Sequence, residues 1–461
     1  MKKDNTPNGS AGKRILSVVS IGSFLTPFMS SSVNIVLPAI GSEFSAGNIL
    51  LSWVASSFLL SAAVFLVPCG RIADIWGRRK VYLWGLALYT LASLSASLSG
   101  SIAVLILSRI LQGAGGAMIL GTGIALVTSA FPPGTRGRAL GIVISATYLG
   151  LSMGPVLGGL LSQRLGWRSI FTANVPLGTI VFALMMWKVK GEWKGAVGET
   201  LDRTGSLLYG LALAAFMYGL SLLPYPLGAA LVLLGLAAGF LFVRLELRLE
   251  HPVFELRLLR GNAVFAFSNL AALINYSATF ALGFLLSLYL QYIKALTPQQ
   301  TGLVLVSQPL IMAVFSPLAG RLSDRTEPRT IASLGMGLGV LGLATLSFLN
   351  ARTSLAFIVG SLILLGLGFA LFTSPNTNAV MSSVGKQHFG IASATLSTVR
   401  LIGQMLSLGI TQLIFSLLMG RAQITPGSYP GFLLAVRTAF LVFSFLCAAG
   451  VYASLARGSR R

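Results

Sequence analysis

The sequence predicts an all-α polytopic membrane protein. Hydrophobic residues make up 55% of the 461 and charged residues 10%, against roughly 25% charged in an ordinary soluble domain. So few charges cannot cover a water-facing surface, which excludes a soluble enzyme, a secreted domain and a disordered regulator. The apolar residues fall in long continuous runs without short polar–apolar alternation, so the spans are helices and not strands of a barrel. The 52 glycines suit helices that pack closely in lipid. A net charge of +22 would point to nucleic acid in a soluble chain. In a membrane chain it marks the loops that stay in the cytoplasm, and no nucleic-acid partner is expected.

At about 20 apolar residues per crossing, the chain divides into fourteen spans. Residues 1–14 form a polar tail with Lys2, Lys3, Lys13 and Arg14. The first span, 15–40, runs on from it without a small-residue cleavage site, so it is a retained helix and not a secretory signal. Spans two and three, 50–69 and 81–98, flank a short basic stretch. Spans four to six, 103–131, 139–161 and 169–187, complete a first six-helix bundle over 15–190. Spans seven and eight, 205–223 and 227–242, lie in a linker, 191–262. Spans nine to fourteen are 263–289, 302–318, 331–349, 355–373, 391–418 and 433–455. They form a second six-helix bundle, 263–456, before a tail at 457–461.

The charges test this division. Of the 33 lysines and arginines, five fall in the odd-numbered loops (Arg164, Arg168, Lys294, Arg352 and Arg421) and three inside spans (Arg109, Arg400 and Arg437). The remaining 25 fall in the termini and even-numbered loops. That bias places both termini in the cytoplasm, and one missed span would scramble it. Cys69 and Cys447 lie in or beside apolar runs, there is no Cys-x-x-Cys, and the histidines are two, His251 and His388. Neither a disulfide framework nor a metal site is expected, and no cofactor.

The two bundles are copies of one unit. Gly70-Arg71-Ile72-Ala73-Asp74 follows span two, and Gly320-Arg321-Leu322-Ser323-Asp324 follows span ten, 250 residues later. The same offset carries span one onto nine and span five onto thirteen. Repeats of equal orientation are related by an axis along the membrane normal, with the substrate site near the midplane between them. The first copy continues through Gly77, Arg78, Arg79 and Lys80. There Gly70 would allow close helix approach and Gly77 a tight reversal. Asp74 would pair with Arg78 or cap a helix. In span four Arg109 and Gln112 share a face, and a charge at that depth should look inward. Span five carries Gly150, Gly154, Pro155, Gly158 and Gly159. Glycines four apart make a flat face for backbone contact, and Pro155 bends the helix.

The loop from Gly70 to Lys80 resembles the signature loop of the major facilitator superfamily, and the glycine face of span five resembles that superfamily's antiporter motif. Fourteen spans, Asn34-Ile-Val-Leu-Pro38 in span one, the segment from Gly166 to Gly178, and that from Gly390 to Gly403 are similar to the fourteen-helix drug:proton antiporter branch. The resemblance covers about residues 15–455. It implies the major facilitator fold, two six-helix bundles plus two inserted helices. It also implies export of small amphipathic molecules by alternating access, with the loops of Asp74 and Asp324 latching the outward-facing state.

One position departs from the branch, whose span-one motif usually has an aspartate where this chain has Met29, followed by Ser30, Ser31 and Ser32. None of the eleven acids falls inside a predicted span. Glu43, at the outer end of span one, reads as a solvated loop acid. A proton-coupled carrier normally holds a buried, shifted carboxylate, so proton coupling and recognition of cationic drugs are both in question. Met29 is placed beside Arg109, which would then rest on neutral acceptors such as Asn34, Gln112, the serines at 30–32 or freed carbonyls. The expected pathway is neutral, aromatic and cationic: Asn34, Arg109, Gln112, Asn275, Tyr276, Gln308, Arg400 and Gln404, with Asn269, Asn376 and Asn378 as further members. No phosphate-binding loop is present, which argues against an ATP-driven pump. The expected function is a non-enzymatic, monomeric exporter in the plasma membrane. The alternative is a proton-independent facilitator or uptake carrier for a neutral or anionic metabolite.

Overall fold

The computed structural model describes residues 9–195, 201–248, 257–385, 389–420 and 423–458. Its α-helices are α1 (Gly9–Phe44), α2 (Asn48–Trp76), α3 (Arg78–Ser97), α4 (Ile102–Ala130), α5 (Pro133–Leu165), α6 (Ser169–Lys188), α7 (Arg203–Leu222), α8 (Pro226–Glu246), α9 (Arg257–Gly261), α10 (Ala263–Thr279), α11 (Leu282–Leu288), α12 (Pro298–Leu305), α13 (Ser307–Arg325), α14 (Pro328–Leu346), α15 (Leu355–Ser382), α16 (Phe389–Met419) and α17 (Tyr429–Ala456). Thirteen stretches of described helix are long and apolar enough to cross a membrane. The remaining expected span is α3, whose start at Arg78, Arg79 and Lys80 dilutes its hydropathy. It buries Tyr82, Leu86 and Tyr89 and packs against α4 and α6.

Two expected spans are not single helices. Span nine is α10, then α11, then one π-helical turn, Tyr289–Ile293. Between α10 and α11 the Ala281 amide leaves the ladder and donates to Ser407 Oγ of α16 at 2.9 Å. Span ten starts earlier than expected, at Pro298, where Thr297 and Gln300 form a capping box. It breaks at Val306 because Pro309 lacks an amide and its ring crowds the Leu305 carbonyl. A hydropathy window sees neither event.

Helices α1–α6 pack among themselves, as do α10–α17. The inserted α7 lies across the seam between the two sets, against α2 and α16. Tyr209 donates to the Ala63 carbonyl at 3.1 Å, and Ser416 donates to the Leu223 carbonyl. Met217 and Leu220 pack with Ala63 and Met405. Helix α8 packs on α7 and exposes Leu233, Leu234, Phe240 and Leu241, as a lipid-facing helix does. One end of the bundle, the basic face, carries Arg78, Arg79, Lys80 and Lys188. The other, the far face, carries Glu43, Arg168 and Lys294.

Candidate functional site

The halves meet toward the far face. Pro38 cannot bond back to the Asn34 carbonyl, and Ser287 Oγ of α11 donates to that freed oxygen at 2.6 Å. Gln291 Nε2 donates to the Ile35 carbonyl at 2.8 Å, and Gln423 donates to the Ser45 carbonyl. Gln412 of α16 donates to Ser56 Oγ of α2 at 2.9 Å. Helix α5 meets α12 backbone to backbone. A Cβ on Gly159 would lie 2.5 Å from the Pro298 carbonyl oxygen, and one on Gly302 would run into the Pro155 carbonyl. Every hydrogen bond between described side chains of one half and described residues of the other lies on this side.

Toward the basic face the same surface of α5 is open. Residues 141, 145, 148, 152, 155 and 159 share one stripe. At its far end Pro155 and Gly159 touch α12; at its basic end nothing lies within 4 Å of Gly141, and Ser145 is exposed. The neighbouring stripe, Gly150, Gly154 and Gly158, is the flat face expected from the sequence. It lies on α1, with the Phe24 carbonyl 2.5 Å from a Cβ on Gly150 and Ser32 Oγ donating to the Gly154 carbonyl at 3.0 Å.

At mid-depth the cleft ends in a cationic, aromatic cluster. Arg400, near the middle of α16, donates from Nη2 to Thr377 Oγ1 at 2.7 Å. Its guanidinium carbon stands 5.6 Å from the Tyr276 ring centre. Tyr276 in turn meets Phe369 edge to face at 5.4 Å. Tyr148, on the open stripe of α5, lies within electrostatic reach of both Tyr276 and Arg400. Arg400 Nε is buried with no acceptor, and Asn275 Oδ1, beside Tyr276 in the chain, is buried with no donor. Gln404 is one turn from Arg400 on the same face and half-buried, as are Asn34 and Gln308.

Arg109 and Gln112 do not join this cluster. Arg109 is 1% exposed, stacked at 4.4 Å on Phe58. It donates to the Val54 carbonyl at 3.1 Å and to Gln112 Oε1, while Gln112 Nε2 donates to Ser93 Oγ at 2.8 Å. This node ties α2, α3 and α4 together. Of the acceptors expected for Arg109, Gln112 and a backbone carbonyl serve; Asn34 and the serines at 30–32 do not. Met29 is also displaced from its expected place: its sulfur accepts from Asn174 Nδ2 of α6 at 3.0 Å. A residue's face on a proline-bent helix such as α1, with Pro27 and Pro38 inside it, cannot be read from spacing alone.

Asn376 serves a different buried arginine, while Asn269 donates to the Phe265 carbonyl of its own helix at 2.8 Å. Arg457, expected in the tail, is 2% exposed and donates to Asn376 Oδ1 at 3.0 Å and Ser268 Oγ at 3.3 Å. Burial, then the neighbouring Arg329, hold its pKa down at about 10, so it remains charged near neutrality. Asn378 donates to Ser323 Oγ at 3.1 Å, close to the second loop motif.

In the first loop motif Asp74 pairs with Arg78 at 2.8 Å, and Arg78 also reaches the Ala125 carbonyl and Ser129 Oγ. Gly77 makes the expected reversal, at φ +127. A residue not singled out by sequence completes it: Glu192 accepts from the amides of Arg79 at 2.7 Å and Lys80 at 3.2 Å, capping α3. Gly70 does not show the expected close approach; nothing lies within 4 Å of its Cβ position. Gly320 is tighter, with Ser374 Oγ at 2.9 Å. The Asp324 side chain lies outside the described residues. Glu43 is not a free loop acid but pairs with Arg168 at 2.7 Å and accepts from Trp167 Nε1 at 2.7 Å. Tyr148, Thr377, Glu192 and Arg457 were thus missed. Only Glu192 left a sequence signal, an acid within reach of a basic helix start.

The family model described as the Major Facilitator Superfamily matches residues 19–195 and 268–460, on either side of the segment carrying α7 and α8. The chain is 35% identical over 401 residues to the multidrug resistance protein Stp of Mycobacterium tuberculosis (strain CDC 1551 / Oshkosh), covering 86% of this chain and 74% of that one. It is 28% identical over 386 residues to the riboflavin transporter RibZ of Clostridioides difficile (strain 630), covering 84% of each. Among solved structures it is similar to a bacterial homolog of the human lysosomal transporter Spinster, in an inward-facing and unoccupied conformation. The TM-score there is 0.72, at 15% identity over 98% of both chains.

Proposed function

The chain belongs to the major facilitator superfamily, and from that premise we propose that it exports small amphipathic molecules across the plasma membrane by alternating access, as a monomer. The observation that carries the reading is the single stripe of α5, in backbone contact with α12 at Gly159 and open at Gly141. A surface of α5 that is sealed at one end and open at the other fits two halves tilted apart on the basic side. Rocking them the other way would part α5 from α12 and close the basic side. The excess of lysine and arginine in these loops supports a cytoplasmic basic face and cytoplasmic termini; on that reading this conformation is the inward-facing one. The names of the relatives, a multidrug resistance protein and a riboflavin transporter, support a small-molecule substrate. In this half of the cycle Asp74 and Arg78 are engaged within their own bundle. In the outward-facing state the loops of Asp74 and Asp324 approach and hold the cytoplasmic side closed. Asn34, Gln308, Tyr276, Arg400 and Gln404 line the path; Arg109 and Gln112 brace it from behind.

The test is flux by purified protein in liposomes, with and without an imposed pH gradient, across cationic, neutral and anionic compounds. Export predicts accumulation against a gradient of at least one compound. Equal flux in both directions, indifferent to any imposed gradient, would replace export with facilitated diffusion. Orientation is checked separately: a cysteine in 224–226 should label from outside and one in 190–194 only from inside.

A further inference from the structure

We propose that Arg400, with Tyr276 and Tyr148, forms a recognition site for a planar aromatic anion at the midplane of the cleft; this deepens the transport reading and rests on it. The first argument is charge. An arginine at mid-depth of a span is costly unless something neutralises it. Its hydrogen-bond partner among the described residues is the neutral Thr377 hydroxyl, at 2.7 Å. Among the described residues every acid lies near a helix end or between helices: Glu43 at the far end of α1, Asp74 and Asp324 near the ends of α2 and α13, Glu246 at the end of α8, and Glu192, Asp202 and Glu327 between helices. Among the described residues no carboxylate pairs with Arg400.

The second argument is an unmet donor. Nε of Arg400 is buried and donates to nothing. Nε and one Nη are the paired edge of the guanidinium that grips a carboxylate through two parallel bonds. An orphaned buried donor is itself unfavourable, and an anion on that edge removes the penalty. The same anion would displace or share the weaker contact to Thr377.

The third argument is shape. Tyr276 is held by Phe369 at 5.4 Å on one side and lies under the guanidinium on the other. Tyr148 stands on the open stripe of α5, in the opposite half. Among the described residues neither tyrosine hydroxyl has a hydrogen-bond partner. A ring from each half, with a cation over one of them, suits a flat ring that carries its charge at the edge. Because Tyr148 belongs to α5 and Arg400 to α16, such a ligand touches both moving halves. A lipophilic cation would meet the same rings but also an uncompensated positive charge.

The test compares 2-naphthoate, 2-naphthamide and 2-naphthylmethylammonium, which share one ring system and differ in charge. Binding to the purified full chain is measured by calorimetry, and flux in liposomes. The wild type should bind the naphthoate about tenfold or more tighter than the amide, the scale of one charge-assisted hydrogen bond, and the ammonium least. Arg400→Gln should remove that preference, so that naphthoate binds no tighter than the amide. Arg400→Lys, which keeps the charge and loses the fork, should fall between them and guards against a misfolded Gln variant. Tight naphthoate binding that Arg400→Gln leaves untouched overturns the inference, as does absent naphthoate binding or a preference for the ammonium. If naphthoate binds through Arg400 but no compound is moved, this site stands and the transport reading fails. If other compounds are exported and naphthoate is not recognised, the reverse holds.

Discussion

Gly159→Ala is expected to tip the conformational equilibrium outward. The added Cβ would sit 2.5 Å from the Pro298 carbonyl oxygen, 2.9 Å from its carbon and 3.0 Å from Gln299 Cα. Ordinary contact begins at 3.4 Å, so the shortest of these is about 0.9 Å too close, and all three atoms are backbone, which cannot swing away. Overpacking of this kind costs about 1–3 kcal/mol. The cost falls on the inward-facing state alone, because α5 and α12 part in the other. At about 1.4 kcal/mol per tenfold, the outward-facing population should rise by roughly five- to one-hundred-and-fifty-fold. The reporter is Ser152→Cys, on the same stripe of α5, labelled from outside by an impermeant thiol reagent. The native Cys69 and Cys447 are buried, at 2% and 0% exposed, and add little background. Gly141→Ala, with open space beside it, is the matched control and should leave labelling unchanged. Unaltered labelling in a folded Gly159→Ala protein, or an equal rise in the Gly141→Ala control, would refute the reasoning.

Asp74→Asn should slow transport and shift the inward/outward balance while leaving substrate affinity within about twofold; a binding loss without a conformational shift contradicts it. Glu192→Ala removes the acceptor of two α3 amides and should cost about 0.5–2 kcal/mol, the range for lost N-caps, read as a lower unfolding midpoint in detergent. Glu192→Gln, which keeps one acceptor oxygen, should recover part of it. Gln112→Leu leaves a buried Arg109 donor without its acceptor and should destabilise by about 1–3 kcal/mol or more, with substrate affinity unchanged. A selective loss of affinity in that variant would return Arg109 to the pathway.

The features legible in the sequence are those that bulk polarity or backbone geometry dictates. Long apolar runs fixed the helices, the lysines and arginines their alternation, and glycines four apart the close-packing face of α5, though not that α1 would fill it. The break in span nine escaped because it depends on a distant partner, Ser407 for the Ala281 amide; the break in span ten is local, at Pro309, and a hydropathy window that averages over it does not register it. The site was half visible. Arg400 and Tyr276 stand out as a charge and a ring in apolar helices. Tyr148 and Thr377 do not, because nothing in their own segments says which face turns to the cleft. Arg109 looked equivalent to Arg400 by sequence, and its separation follows from packing: Val54, Phe58 and Ser93 close around it on helices whose relative rotation no pattern reports.

The two arginines also bear on how the cycle is driven. In a carrier that couples through a carboxylate, the proton neutralises the site so that it can pass between states. Here the charge at mid-depth in the cleft is the Arg400 guanidinium. On the anion-site assignment, the substrate itself neutralises it. An empty carrier must then carry a bare, partly unpaired guanidinium through the closed stages of the cycle, while a loaded one carries a paired and stacked one. A ligand shifts a conformational equilibrium only by its differential affinity for the states, and the occluded intermediate, driest of all, gains most from that pairing. The loaded carrier should therefore cross faster than the empty one. The measurable consequence is that exchange of labelled for unlabelled naphthoate outpaces net efflux in the same liposomes, and that Arg400→Gln narrows the gap by speeding the empty return. Equal exchange and net rates in the wild type would show that the bare arginine is no obstacle, and that the substrate does not serve as its counter-ion.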